Sequence, residues 1–494
     1  MNLVSAFAAS VREQPDKSAL FWGEQQFSYA QLWSDSLSVS SHLQRTCGVK
    51  PGDRVGLWLK NCPEFIPALF GILHAGAVVV PINNFLKSDE VNFILSDAGI
   101  DVLITDAELG SHHRALEKAR PGLKLYTAEE FAVASPRTAS TSTDLSTQGE
   151  QDLAVLIYTS GTTGRPKGAM LSHGNLLHNV ESCRIVLKTV QADRFAVLLP
   201  MFHSYMLTVG LLLPLLVGGS IVLIKSLHPV RNVLQEIFEK GASVLPAIPQ
   251  FYRSMVNAPL EGPLPLRLFI SGAAPLPAQV LKEFEEKFRV PLIEGYGLSE
   301  ASPVVTKNPL DGSRKAGSIG LPIPHVEVSI QNDEGQLLGD DQVGEVCVRG
   351  GNVMLGYWKK PDETAKVMRS GWLLTGDIGY RDPQGYYYIT DRKKDMLLVN
   401  GINVYPREIE EVLYQIPGIK EAAVIGKPDP RRGEQPVAFV AVNEGASLDE
   451  AEIQNFLKRK LANYKVPKRV VIIPALPRNA TGKILKTALR ELPA

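Results

Sequence analysis

Short, largely apolar runs recur between helical patterns over the first three hundred residues: Val55–Leu59, Val102–Thr105, Ala196–Leu199, Leu266–Ile270 and Leu292–Ile293. A strand without a polar face is covered on both sides, and such strands build parallel sheets flanked by helices. The uncharged stretch Leu207–Ile224 approaches the length of a membrane span. Gly210, Pro214 and the Gly218-Gly219-Ser220 turn break it, so it reads as a helix ending at Gly218-Gly219 and a strand Ile221–Ile224. Phe65–Ile82 repeats that grammar: an apolar helix, His74-Ala75-Gly76, then the strand Ala77–Val80. Both are buried α/β units.

The pattern changes twice further on. From about Val326 to Tyr388 short alternating strands and Gly-rich turns predict a small β unit. Beyond Asp391 come a helix near Arg407–Gln415, strands near Ala422–Ile425 and Val437–Val442, a helix near Leu448–Leu461 and a strand Val470–Ile473. That is a separate α+β domain. Ala132–Glu150, rich in Ser, Thr and Ala, reads as a solvated connector. A length of 494 residues fits about three domains.

Lys+Arg and Asp+Glu both number 52, so no global field favours nucleic acid or an acidic membrane. Charge is uneven, however: from Ala451 onward ten Lys/Arg face only Glu452 and Glu491. Four cysteines without CxxC spacing predict a reducing compartment and no zinc site. Met1 leads into polar sequence without a signal peptide, which makes the expected location cytoplasmic.

Chemistry is written most densely in Thr159-Ser160-Gly161-Thr162-Thr163-Gly164-Arg165-Pro166-Lys167-Gly168, directly after the apolar strand Leu153–Tyr158. Its glycines let successive N–H groups converge, and its hydroxyls and lysine add donors and charge, which suits nucleotide phosphates. A plain Gly/Ser linker needs neither the buried strand nor Pro166-Lys167-Gly168. Nor is it a Walker A loop, which would place Ser or Thr after the lysine. Three further clusters follow strands: Pro200-Met201-Phe202-His203, Ser271-Gly272-Ala273-Ala274-Pro275 and Gly295-Tyr296-Gly297-Leu298-Ser299-Glu300. Ligands sit outside the C-terminal ends of strands in open parallel sheets, so the four clusters predict one crevice.

With Trp372-Leu373-Leu374-Thr375-Gly376-Asp377, Asp391-Arg392-Lys393-Lys394-Asp395 and Pro477–Lys483, these motifs make the chain resemble the adenylate-forming superfamily. That group holds acyl-CoA synthetases, peptide-synthetase adenylation domains and luciferases. The match runs from Phe27-Ser28-Tyr29 to Lys483 and is most like a fatty acid–CoA ligase. The resemblance implies an α/β fold: a large N-terminal domain (1–391) of two doubly wound parallel-sheet subdomains and a small β-barrel-like one. A small mobile α+β C-terminal domain (392–494) follows, with a hinge near 391–395. ATP, Mg²⁺ and coenzyme A are the implied cofactors and co-substrates.

Roles carry over residue by residue. Lys483 is expected to bridge the acid's carboxylate and the α-phosphate. Glu300 would hold Mg²⁺ with Thr159, and His203 would flank the acyl carboxylate. Thr159, Ser160, Gly161, Thr162, Thr163, Gly164 and Lys167 are expected on the phosphates. Gly272, Ala273 and Ala274 would lie beside base and acyl group. Gly295, Tyr296, Gly297 and Ser299 would line the nucleotide, with Tyr296 packing on adenine. Ser299 stands where relatives commonly have threonine and keeps the hydroxyl. Asp377 would accept the ribose hydroxyls and Arg392 would contact ribose and phosphate. Lys394 is the hinge candidate. Gly401, in Val399-Asn400-Gly401, would leave room for the pantetheine arm after rotation.

The acid pocket is expected from His203 through Leu211, Gly272–Ala274 and Ser302–Val305, which are small or apolar and carry no charge. An unpaired second carboxylate or an amino group would be costly there. Ala301–Thr306 looks most like fatty-acid ligases, so a medium- or long-chain fatty acid is expected, with a cinnamate-like aryl acid as runner-up. No carrier domain is expected after Ala494, so CoA is the expected acceptor and a separate carrier protein the alternative. A catalytically inactive nucleotide-binding protein is the reading from another class. A monomer or homodimer is expected, without nucleic acid and with peripheral membrane contact left open.

Overall fold

Strands alternate with helices along the chain, and the topology sorts them into two large sheets. The computed structural model describes all residues except 129, 131–147, 160–165, 227–228, 259–263, 430–432, 479–482 and 494. Most of the Ser/Thr/Ala-rich connector lies outside the described residues.

The six-stranded sheet runs Lys124–Thr127, Val102–Thr105, Arg54–Trp58, Val78–Pro81, Leu153–Thr159, Lys167–Ser172, parallel except for its last pair. The nine-stranded sheet has six parallel strands at its centre: Leu292–Gly297, Leu268–Ser271, Val244–Ala247, Arg194–Val197, Ser220–Leu223 and Ser18–Trp22. Antiparallel strands edge it on both sides: Val304–Lys307 and Leu321–Pro322 at one end, Gln25–Ser28 at the other. The central strands are buried along nearly their whole length, as uninterrupted apolar runs require. One apolar core joins both sheets through Phe7, Phe65, Phe70 and Phe195. Among the described residues no helix is long and apolar enough to cross a membrane.

Local chemistry sets the helix ends. Ser28 and Ser172 close capping boxes at the starts of Tyr29–Arg45 and His173–Leu187. The expected helix before Gly218 is less regular than its sequence suggests. Met206–Leu212 is π-helical, with the Leu213 amide reaching back to Thr208, and becomes α-helical only at Leu213–Val217. Pro214 cannot donate to the ladder, which helps confine the α-helical part to a single turn. Gly218 then ends it at φ +83°, a left-handed cap.

The small β unit is antiparallel: Val326–Gln331, Gly344–Gly350, Trp372–Arg381 and Met368–Arg369, with Tyr387–Arg392 also paired to the long third strand. The C-terminal α+β unit pairs Ile419–Asp429 with Gly433–Val442 and adds Arg469–Ile472 in parallel. Helices Pro406–Leu413 and Glu450–Lys460 cover a core of Ile409, Leu413, Val424, Val440 and Leu457. The four sequence clusters do not all end strands of one sheet. Three belong to the nine-stranded sheet. The phosphate loop instead joins two antiparallel strands of the six-stranded sheet, where Thr159 comes next to Glu300 of the other sheet's last cluster.

Candidate active site

Strand Leu292–Gly297 delivers the chain into the single turn Ser299–Ala301 before Val304–Lys307 returns alongside it. Glu300 sits in that turn. Its Oε1 accepts the Tyr357 hydroxyl at 2.9 Å and lies 3.5 Å from Thr159 Oγ1, at the end of the other sheet's strand. Glu300 and Thr159 therefore meet as the sequence motifs predict. Backbone bonds hold Tyr357 there: the Trp358 amide donates to Gly168 O and the Met170 amide to Gly356 O. Mg²⁺ on a nucleotide takes one or two protein carboxylates and fills its shell from phosphates and water. One carboxylate oxygen with an adjacent hydroxyl fits that donor set.

Beside it lies a cleft of about 490 Å³. Ala273, Ala274 and Gly295–Gly297 form one wall; Asp377, Arg392 and Lys394 form another; Lys483 arrives from the C-terminal unit. Asp377 and Arg392 are register partners on neighbouring strands. Arg392 Nε is 3.0 Å from Asp377 Oδ1, and the Tyr296 hydroxyl donates to Asp377 Oδ2 at 2.5 Å. Asp377 is buried, and its two oxygens are taken by Arg392 and Tyr296. Its carboxylate keeps the Arg392 guanidinium even more firmly charged than usual.

Lys483 keeps contact with solvent, yet its ammonium is pushed down to about 8, first by burial in the cleft and then by the Arg392 cation. His203 feels the same ammonium. Burial, with Lys483 second, lowers its imidazole to about 4, so the ring is neutral at physiological pH. His203 Nδ1 accepts the Tyr205 amide, and Ser204 hydrogen-bonds Ser299 at 2.9 Å, which ties the His203 loop to the Glu300 turn.

Further residues named from the sequence have contacts within the protein. Lys167 is buried, its ammonium paired with the Glu363 carboxylate and 5.3 Å from the Tyr357 ring centroid. A buried cation needs a counter-ion, and Glu363 already supplies one. Gly295 and Gly297 make room for protein: a Cβ at 295 would strike the Lys307 side chain, and one at 297 the Pro303 carbonyl. Gly272 gives space to the Tyr205 ring. Gly401 lies at φ +76° in the turn between Leu397–Val399 and Ile402–Val404, outside the cleft lining. Ser160, Gly161, Thr162, Thr163 and Gly164 lie outside the described residues.

Sequence reading missed Tyr357, whose only signal is an aromatic placed between glycine and the helix Pro361–Val367. It also missed Glu294, a buried cleft carboxyl that burial raises to about 7 against the pull of Arg407, and that accepts the Leu276 amide at 3.0 Å. Its place one residue before the Gly295–Glu300 cluster gave no hint of either.

The profile of AMP-binding enzymes matches residues 7–358, and that of the AMP-binding enzyme C-terminal domain matches 408–483. The chain belongs to the AMP-binding enzyme family. It is 36% identical to the long-chain-fatty-acid–CoA ligase of Bacillus subtilis (strain 168), covering 99% of this chain and 94% of that one. It is also 36% identical to a feruloyl-CoA synthase of an Amycolatopsis species, covering 97% and 96%. Among solved structures, ATP-bound MatB from Rhodopseudomonas palustris is similar at a TM-score of 0.92, 32% identity and 99% coverage of both chains. The apo form of MatB, at the same identity and coverage, gives 0.80. This AMP-binding enzyme is an AMP-forming acid–CoA ligase that uses ATP, Mg²⁺ and coenzyme A.

Proposed function

We propose that the acid is a medium- or long-chain fatty acid. One observation carries this reading. The segments flanking His203 and Glu300, Ser204–Ile224 and Ala301–Thr306, contain no Asp, Glu, Lys, Arg or His, and Met206, Leu207, Val209, Leu211 and Val305 are fully buried among them. A second charge on the substrate would find no partner there, whereas methylenes would. The long-chain ligase of Bacillus subtilis is a relative that points the same way. An aryl acid is the second reading. It is favoured by the feruloyl-CoA synthase relative and by the Tyr205 ring packed on Gly272, a flat surface suited to an aromatic acid.

In the first half-reaction a carboxylate oxygen bonds to the α-phosphorus of ATP, and the bond to the bridging oxygen breaks, releasing pyrophosphate. Two anions approach, and Lys483 offsets their repulsion and the charge building on the α-phosphate oxygens. Neutral His203 flanks the carboxylate without competing with Lys483 for it. Asp377 and Arg392 orient the ribose. Mg²⁺, held through Glu300 and Thr159, would screen the triphosphate. In the second half-reaction the CoA sulfur bonds to the acyl carbon and AMP leaves. Between halves the C-terminal unit turns about residues 391–395, withdrawing Lys483 and presenting Gly401. Four unpaired cysteines suit a reducing, cytoplasmic setting.

The test is pyrophosphate release over a panel of C6 to C18 fatty acids, ferulate and cinnamate, with and without CoA. The highest kcat/KM is expected for a fatty acid of eight carbons or more. A higher value for ferulate would replace this reading with the aryl one.

A further inference from the structure

The C-terminal unit also touches the large body through side chains outside the 391–395 turn. Helix Pro249–Asn257 follows strand Val244–Ala247, and its Pro249, Gln250 and Arg253 line the cleft. Tyr252 fixes this helix to the sheet: it is fully buried, and its hydroxyl shares its one proton between the carbonyls of Leu245 (2.8 Å) and Ile270 (2.9 Å). The next residue, Arg253, is therefore an arm on a rigid base. Its guanidinium donates to the Ile419 carbonyl at 2.6 Å and lies 5.8 Å from the Tyr414 ring centroid. Ile419 opens strand Ile419–Asp429 where its pairing with Gly433–Val442 is irregular, and Tyr414 caps helix Pro406–Leu413. One side chain of the large body thus grips two elements of the unit that carries Lys483. Nearby, Glu411 of the same C-terminal helix faces the Ala278 amide at the start of helix Ala278–Phe288, a second contact across the same seam.

We propose that Arg253 is a positioning residue for the first half-reaction, a latch that holds the C-terminal unit where Lys483 meets the cleft and lets go when the unit turns. The proposal rests on the two-arrangement reading above. Arg253 lines the cleft, but its contacts are with the C-terminal unit, and the role assigned to it is exerted through the position of that unit. Its contacts exist in one arrangement, so removing them shifts the population away from that arrangement and leaves the other untouched.

Two partial reactions separate these effects: acid-dependent ATP–pyrophosphate exchange, and thioester formation from supplied acyl adenylate and CoA, both with the acid that ranks first in the panel. Arg253→Ala is expected to slow exchange about tenfold, the loss of one hydrogen bond to a charged group. Thioester formation should stay at or above the wild-type rate, with Tm unchanged. Arg253→Lys keeps a donor but loses the planar fork and should fall between. Unchanged exchange, or both half-reactions falling together with Tm, would overturn the latch. Lys483→Ala is the control for the underlying reading. If it slows both halves equally, the two-arrangement reading fails; if it splits them while Arg253→Ala does not, the latch alone fails.

Discussion

Lys483 concentrates the electrostatics of the site in one side chain, and its titration is therefore readable. Burial and Arg392 lower its ammonium to about 8, so the free enzyme carries the charge below that pH and loses it above. In the proposed role of Lys483, only the charged form offsets the repulsion between carboxylate and α-phosphate. In pyrophosphate exchange, kcat/KM for ATP is expected to be level near pH 7 and to fall about tenfold per unit above pH 8. Bound phosphates favour the ammonium, so the corresponding fall in kcat lies at higher pH. Lys483→Ala should lower exchange about a hundredfold or more and remove the alkaline limb. A limb that survives in that variant would assign the titration to another group. The convergence of such residues was legible in the sequence, because each motif carries one functional group to a strand end or loop: Lys483, Glu300, Asp377 and Arg392 reach the cleft or its edge. The ion pair of Lys167 was not, because its partner Glu363 lies almost two hundred residues away in the chain.

At the level of the element, the glycines of the Gly295–Glu300 cluster have a structural reason that sequence spacing could not supply. A Cβ on Gly297 would lie 2.2 Å from the Pro303 carbonyl oxygen and 3.1 Å from Val304 Cα. These are main-chain atoms, and the Leu298 amide already donates to that same oxygen at 3.0 Å. Nothing there can rotate away. Gly297→Ala must therefore spread the hairpin between Leu292–Gly297 and Val304–Lys307 and displace the turn that carries Glu300. A loss of about 2 kcal/mol in urea unfolding is expected, with a raised Mg²⁺ requirement in exchange. Gly122→Ala, at a site with nothing within 4 Å, is the matched control and should change neither. Equal behaviour of the two variants would show that the hairpin tolerates the methyl. The strands were legible because burial on two faces leaves a plain apolar run. The π-helical Met206–Leu212 was not, since its apolar residues leave no periodic face to distinguish it from an α-helix.

At the scale of the whole molecule, sequence order predicted the succession of α/β body, β unit and C-terminal unit. It could not say which sheet each strand joins: Ser18–Trp22 pairs with Ser220–Leu223 across two hundred residues, and the phosphate-loop strand belongs to the other sheet. Long-range pairing is written in complementary surfaces, not in local pattern. The turn at residues 393–395 is where these units would move. In the present arrangement it is pinned: the Lys393 amide donates to Gly376 O at 2.9 Å, and the Lys393 ammonium lies 2.6 Å from Asp333 and 3.4 Å from Glu345. Trypsin must draw a lysine side chain out fully extended, so these pins protect the Lys393 bond while Asp333 and Glu345 hold it. On the two-arrangement reading proposed above, ATP, Mg²⁺ and acid hold Lys483 in the cleft and should slow cleavage between residues 392 and 395. On the same reading, a non-reactive acyl-adenylate mimic together with CoA draws the unit into the turned arrangement, frees Lys393 from these contacts and should speed cleavage. The measurement is the rate at which the two fragments appear on a gel, with the cut site confirmed by mass. Identical rates in the two ligand states would mean that the turn does not change, and that Lys483 leaves the cleft by some other movement or not at all.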